Sequence, residues 1–171
     1  MADDPLVVLA ARLGERCLQR GVRVATVESC TGGLVGHLIT EIAGSSAYYV
    51  GGFVTYSNDL KHGTVGVPYD VLVAHGAVSA QAAMAMATGG RERTGADLAV
   101  AVTGIAGPGG GTDAKPVGLT YVAVADAVGL AVRRYVWSGD RAENKRLSAG
   151  AALDLLLERV QAAGGTTATR L

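Results

Sequence analysis

The chain has 171 residues, and its 15 Lys and Arg balance 15 Asp and Glu. That length suits one domain with a substantial core and excludes a pair of large ones. Charge balance excludes a uniform positive field of the kind that holds nucleic acid or an anionic membrane, so the expected partner is a small molecule.

No apolar stretch approaches the ~20 residues needed to cross a bilayer, and the start Met1-Ala-Asp-Asp lacks the basic residues of a secretion signal. A cytoplasmic protein is expected. Cys17 and Cys30 have no paired spacing that suggests a disulfide framework or a zinc site, and both are expected to be reduced. Twelve of the fifteen basic residues are Arg, leaving only Lys61, Lys115 and Lys145. An arginine keeps its proton in a protein whereas a desolvated lysine can release it, so candidates for a basic general base are few.

In chain order, Leu6 to Arg20 carries apolar residues at helical spacing and stops at Gly21. Val22 to Val27 reads as a buried strand, and Gly32 to Ile42 as a helix. Val50 to Tyr56 is a second strand. Ser57-Asn58-Asp59 starts a short helix through Thr64, and another covers Tyr69 to Val73. Ser79 caps an alanine-rich helix that runs to about Arg93, and Leu98 to Val102 is a third strand. Thr103 to Pro116 holds five Gly and two Pro and is read as a loop long enough to carry function. Gly118 to Ala125 and Leu130 to Trp137 form a hairpin through Asp126-Ala-Val-Gly129, which sets one strand antiparallel to the rest. A helix from about Ala142 to Ala163 ends a single domain, 1–163, and 164–171 is expected to be a disordered tail.

Strands and helices in this order predict an α/β fold: a three-layer α/β/α sandwich around a mixed, mostly parallel sheet of about five strands. Ligands collect at the carboxyl ends of strands in such sheets, and those ends carry Glu28-Ser29, Tyr56-Ser57 and Thr103-Gly104.

Several residues at these ends have two readings each. Cys30-Thr31-Gly32-Gly33 is either a helix start that meets an anionic ligand or a tight turn with Thr31 as N-cap. Ser46 is either a cap or a nucleophile, and the second role requires a base. Lys61 lies in the first turn of a helix, where the dipole disfavours an ammonium. Tyr56 ends a strand five residues earlier, either as an aromatic lid on the core or with its phenol in the cleft. Arg141 clamps a phosphate or pairs with a carboxylate. His37, His62 and His75 lack acidic partners at suggestive spacing, and the scattered carboxylates predict no metal site.

The segments Thr26-Val-Glu-Ser-Cys-Thr-Gly-Gly33, Ala43-Gly-Ser-Ser-Ala-Tyr-Tyr49, Gly52-Phe-Val-Thr-Tyr-Ser-Asn58 with Lys61, and Thr103-Gly-Ile-Ala-Gly-Pro-Gly-Gly-Gly111 together resemble the CinA C-terminal family of nicotinamide mononucleotide amidohydrolases. The resemblance extends over His75-Gly-Ala-Val-Ser79, Lys115-Pro-Val-Gly118 and Ser138-Gly-Asp-Arg141. Two-domain members have an additional N-terminal domain associated with pyrophosphatase activity, and the present sequence is expected to be the stand-alone form. The resemblance implies hydrolysis of the nicotinamide amide without a cofactor, within pyridine-nucleotide recycling, by a homo-oligomer. It implies Ser46 as nucleophile with Lys61 and Tyr56 moving protons, and Glu28, Thr31, Gly32, Gly33, Thr103, Gly104 and Arg141 at the substrate. The alternatives are a non-catalytic nucleotide-binding module or a hydrolase of another nucleotide.

Overall fold

In the computed structural model, residues 4–163 are described. The elements are α1 (Pro5–Arg20), β1 (Val24–Glu28), α2 (Leu34–Thr40), a 3-10 turn (Ser45–Ala47), β2 (Tyr49–Val54), α3 (Asn58–Val65), α4 (Tyr69–His75), α5 (Ala80–Thr94), β3 (Leu98–Gly104), β4 (Leu119–Ala125), β5 (Leu130–Val136) and α6 (Arg141–Ala162). Their caps are local. Asp4, Ser57, Ser79 and Asp140 each accept a backbone N–H of the first helical turn, and Gly21, Gly66 and Gly95 supply the left-handed residue that closes a helix. The expected tail, 164–171, lies outside the described residues.

The sheet order is β2-β1-β3-β4-β5. β1 pairs in parallel with β2 and β3, while β4 is antiparallel to both β3 and β5. One strand of five therefore runs against the others, as the hairpin in the sequence requires. Alternation along the strands separates the two faces. Val24, Val100, Val102, Val122 and Val124 pack with Leu13, Ile39, Leu153 and Leu156 beneath α1, α2 and α6. Val27, Ala101, Ala123 and Ala125 pack with Val65, Leu72 and Met86 beneath α3, α4 and α5. The result is the three-layer sandwich.

Small side chains bring α5 close to the sheet. A Cβ on Gly90 would collide with Val27, and one on Gly89 would collide with the carbonyl of Val65 at the end of α3. Glycine in a helix interior costs about 1 kcal/mol relative to alanine; here it permits an approach that no side chain could tolerate. That approach sets α3, and with it Lys61, over the carboxyl end of β1.

Candidate active site

Parallel register decides which residues meet. Glu28 lies opposite Val54, and Thr55 N–H donates to Glu28 O at 2.8 Å, so the carboxyl ends of β1 and β2 are side by side. Ser29 follows β1 and Thr55 follows β2. α3 then turns back so that the Lys61 side chain, 1% exposed, enters between them. Its Nζ lies 3.0 Å from Ser29 Oγ, 2.7 Å from Thr55 O and 3.4 Å from Tyr56 O. Burial pulls the Lys61 pKa below the ordinary lysine value, with the Cys30 thiol acting in the opposite direction. A neutral amine has two N–H donors and one lone pair. Were Lys61 neutral, the two carbonyls would take its donors and leave its lone pair for the Ser29 hydroxyl.

Ser46 is not part of this group. It sits in the 3-10 turn that enters β2, whereas Lys61 follows the exit of that strand. The six residues of β2 (Tyr49–Val54) intervene; at about 3.3 Å per residue they set Ser46 roughly 20 Å from the lysine. The expectation that Lys61 serves Ser46 is corrected here: the hydroxyl it touches is that of Ser29. Ser29 was legible only as one polar residue at a strand end. The available signal was its place on a strand–turn–helix junction, where a nucleophile is held clear of both elements.

Glu28 also has a different place from the one expected of a substrate-binding residue. It is 2% exposed, and its carboxylate accepts the N–H groups of Gly33 at 3.0 Å, Val35 at 3.0 Å and Gly36 at 2.8 Å. The protein's own carboxylate thus occupies the amino end of α2, where free N–H groups and the positive dipole end were expected to receive a ligand. Gly33, with φ of 99°, stands at the cap position in place of Thr31. Thr31 is buried, and its hydroxyl has no hydrogen-bond partner among the described residues.

Of the other expected residues, Tyr56, Thr103, Gly104 and Arg141 surround Ser29 and Lys61, whereas Gly32 does not line their cavity. A cavity of about 230 Å³ is lined by Ser29 and Lys61 with Tyr56, Thr103, Gly104 and Arg141. Thr103 spends its hydroxyl on Ala77 O at 2.8 Å, which pins the Ala77–Val78 wall of the cavity. Arg141 donates to Gly107 O at 2.8 Å and to the Tyr56 hydroxyl at 3.2 Å, spanning the mouth. Its helix is located by buried Asn144, whose amide donates to Ala106 O at 3.1 Å and whose carbonyl accepts Gly139 N–H at 3.0 Å. Beyond Arg141 lies a second hollow of about 600 Å³ that shares Ala106 and Arg141 with the first. Cys30 also lines the inner cavity, but burial pushes its thiol up to about 11, against any role as a thiolate. Among the described residues no group of His, Cys, Asp and Glu is assembled as for a metal ion, and no helix is long and apolar enough to cross a membrane.

Fold and site thus define an α/β domain with a lysine-addressed serine at the carboxyl edge of its sheet. The CinA C-terminal domain model matches residues 7–160, and the chain belongs to that family. It is 50% identical over 158 residues to a CinA-like protein of Geobacter sulfurreducens, covering 92% of this chain and 38% of that protein. The chain therefore spans about two-fifths of the length of such relatives. It is 45% identical over 160 residues to the nicotinamide-nucleotide amidohydrolase PncC of Escherichia coli K12, covering 93% of this chain and 97% of PncC. The crystal structure of the competence/damage inducible protein CihA from Agrobacterium tumefaciens superposes with a TM-score of 0.88 at 44% identity, covering 90% of this chain and 94% of that one.

Proposed function

We propose that the chain is an amidohydrolase converting nicotinamide mononucleotide and water into nicotinate mononucleotide and ammonia, with Ser29 as nucleophile and Lys61 as its base. The observation that carries this reading is the 3.0 Å contact between a buried lysine and a serine hydroxyl that line one cavity. The near end-to-end likeness to the Escherichia coli amidohydrolase supports the substrate.

In this mechanism neutral Lys61 takes the Ser29 proton as Oγ attacks the amide carbon. The resulting ammonium then protonates the amide nitrogen, the C–N bond breaks, and ammonia leaves the acyl-enzyme ester. Water attacks the ester with its proton passing to Lys61, and the proton returns to Ser29 as the acid departs. The N–H groups of Cys30 and Thr31 follow the nucleophile and donate to no backbone carbonyl among the described residues. They are the candidates for the oxyanion, a role worth about 3 kcal/mol per donor in other enzymes. Tyr56 and Arg141 hold the mouth. The inner cavity has room for an aromatic amide, and the remainder of a nucleotide extends past Arg141. Such a reaction returns nicotinamide released as its mononucleotide to the acid form, consistent with pyridine-nucleotide recycling.

The test compares Ser29→Ala with Ser46→Ala by ammonia release from nicotinamide mononucleotide. Ser29→Ala is expected to be folded and inactive, and Ser46→Ala to retain turnover. Turnover by Ser29→Ala near that of the wild type removes Ser29 as nucleophile. Stabilisation by the nucleotide without ammonia release from the wild-type protein would instead favour a binding module.

A further inference from the structure

One cation on α6, Lys145, remains unexplained by the chemistry at Ser29. Arg141 and Lys145 are one helical turn apart, at i and i+4, so they lie on one face in the first two turns of a 22-residue helix. That is the wrong end for positive charge. The helix dipole disfavours cations there, and like charges at this spacing repel. Neither is paired with a carboxylate among the described residues, whereas Arg146, the next residue, is bound to Asp4. The acids of the same turn do not compensate: Asp140 caps the helix through Glu143 N–H, and both flank the groove beside Leu6.

Lys145 is half-buried, and its ammonium makes no hydrogen bond among the described residues. It sits over the turn that carries the nucleophile: a Cβ on Gly32 would be 3.9 Å from Lys145 Nζ. Gly32 N–H donates to Ser29 O at 3.0 Å, which closes that turn directly behind Ser29. The first and last residues of such a turn are within about 7 Å of each other. A partly desolvated cation with no partner calls for an anion, and the α2 amino end cannot supply the binding because Glu28 already fills it.

We propose that Lys145 receives the phosphate of the substrate, at the rim above the Thr31–Gly33 turn, and so sets a preference for mononucleotide over riboside. This rests on the amidohydrolase reading. Arg141, one turn earlier, remains on Gly107 and Tyr56 and separates the inner amide cavity from this anionic end.

The test measures ammonia release from nicotinamide mononucleotide and nicotinamide riboside by wild-type protein, Lys145→Met and Lys145→Arg, together with competition by ribose 5-phosphate. Methionine keeps the stem and removes the charge, and arginine keeps the charge. A lost charge-assisted contact is worth about a tenfold or larger change in affinity. Lys145→Met should therefore raise KM for the mononucleotide about tenfold with kcat within about twofold, leave riboside turnover unchanged, and weaken ribose 5-phosphate similarly. Lys145→Arg should recover most of the affinity. Equal losses on both substrates, or an unchanged inhibition constant for ribose 5-phosphate, overturn the proposal while leaving the amidohydrolase reading intact. Absence of ammonia release by the wild-type protein overturns that reading instead. Thermal stabilisation by ribose 5-phosphate, lost in Lys145→Met, would then still establish the anion site, and its persistence would overturn it.

Discussion

Replacing Glu28 with Gln changes one oxygen for one nitrogen in a closed site, so its cost can be worked from the contacts. The carboxylate accepts three N–H groups at the start of α2, two on one oxygen and one on the other. An amide keeps at most one oxygen on them. In its better orientation it retains Gly33 and Val35 and turns an NH2 group towards the Gly36 N–H, leaving that donor unsatisfied at about 1–3 kcal/mol. Loss of the negative charge at a helix amino end adds about 1 kcal/mol. The sum is about 2–4 kcal/mol, and because Ser29 is the next residue, strain in the turn should also lower kcat. Urea unfolding followed by far-UV circular dichroism measures the first effect, and ammonia release at saturating nucleotide the second. A variant whose stability is within about 0.5 kcal/mol of the wild type, with only KM raised, would refute this account and return Glu28 to the substrate.

Three further predictions concern Lys61 and α5. Ammonia release requires neutral Lys61, so kcat/KM should fall as pH drops through the folded-state pKa, and that midpoint should lie below 10.5 because burial lowers it. Lys61→Arg should abolish turnover at every pH, since a guanidinium does not accept the proton; a midpoint at or above 10.5 in the wild type contradicts the burial argument. Gly89→Ala should destabilise the protein by about 2 kcal/mol, because the added methyl meets the backbone of Val65, and overpacking outweighs the gain in helix propensity. A lower urea midpoint at unchanged slope would show this, whereas a neutral or stabilising result would mean that α3 and α5 can separate.

Local chemistry was sufficient for the elements themselves. The caps Ser57, Ser79 and Asp140, the stop at Gly21 and the Asp126–Gly129 hairpin act over a few residues, so each helix and strand was legible within a residue or two of its observed end. Likewise, Leu98 to Val102 was legible as a strand, and β3 is covered on both faces in the fold. Lys61 stood out because lysine is rare in this chain and because of its place in a helical first turn.

What Lys61 touches was beyond such reasoning. Ser29 and Ser46 are both serines beside strands, and the strand–turn–helix place of Ser29 does not by itself show which of them the lysine reaches. The choice came from the parallel pairing of β1 with β2, a contact between segments some 25 residues apart, which puts the two carboxyl ends together and sends Ser46 to the far edge. The role of Glu28 was hidden for a similar reason. Whether a carboxylate at the end of a strand faces a ligand or the amides of the next helix depends on how sharply the chain turns between them, and only the folded chain closes that turn.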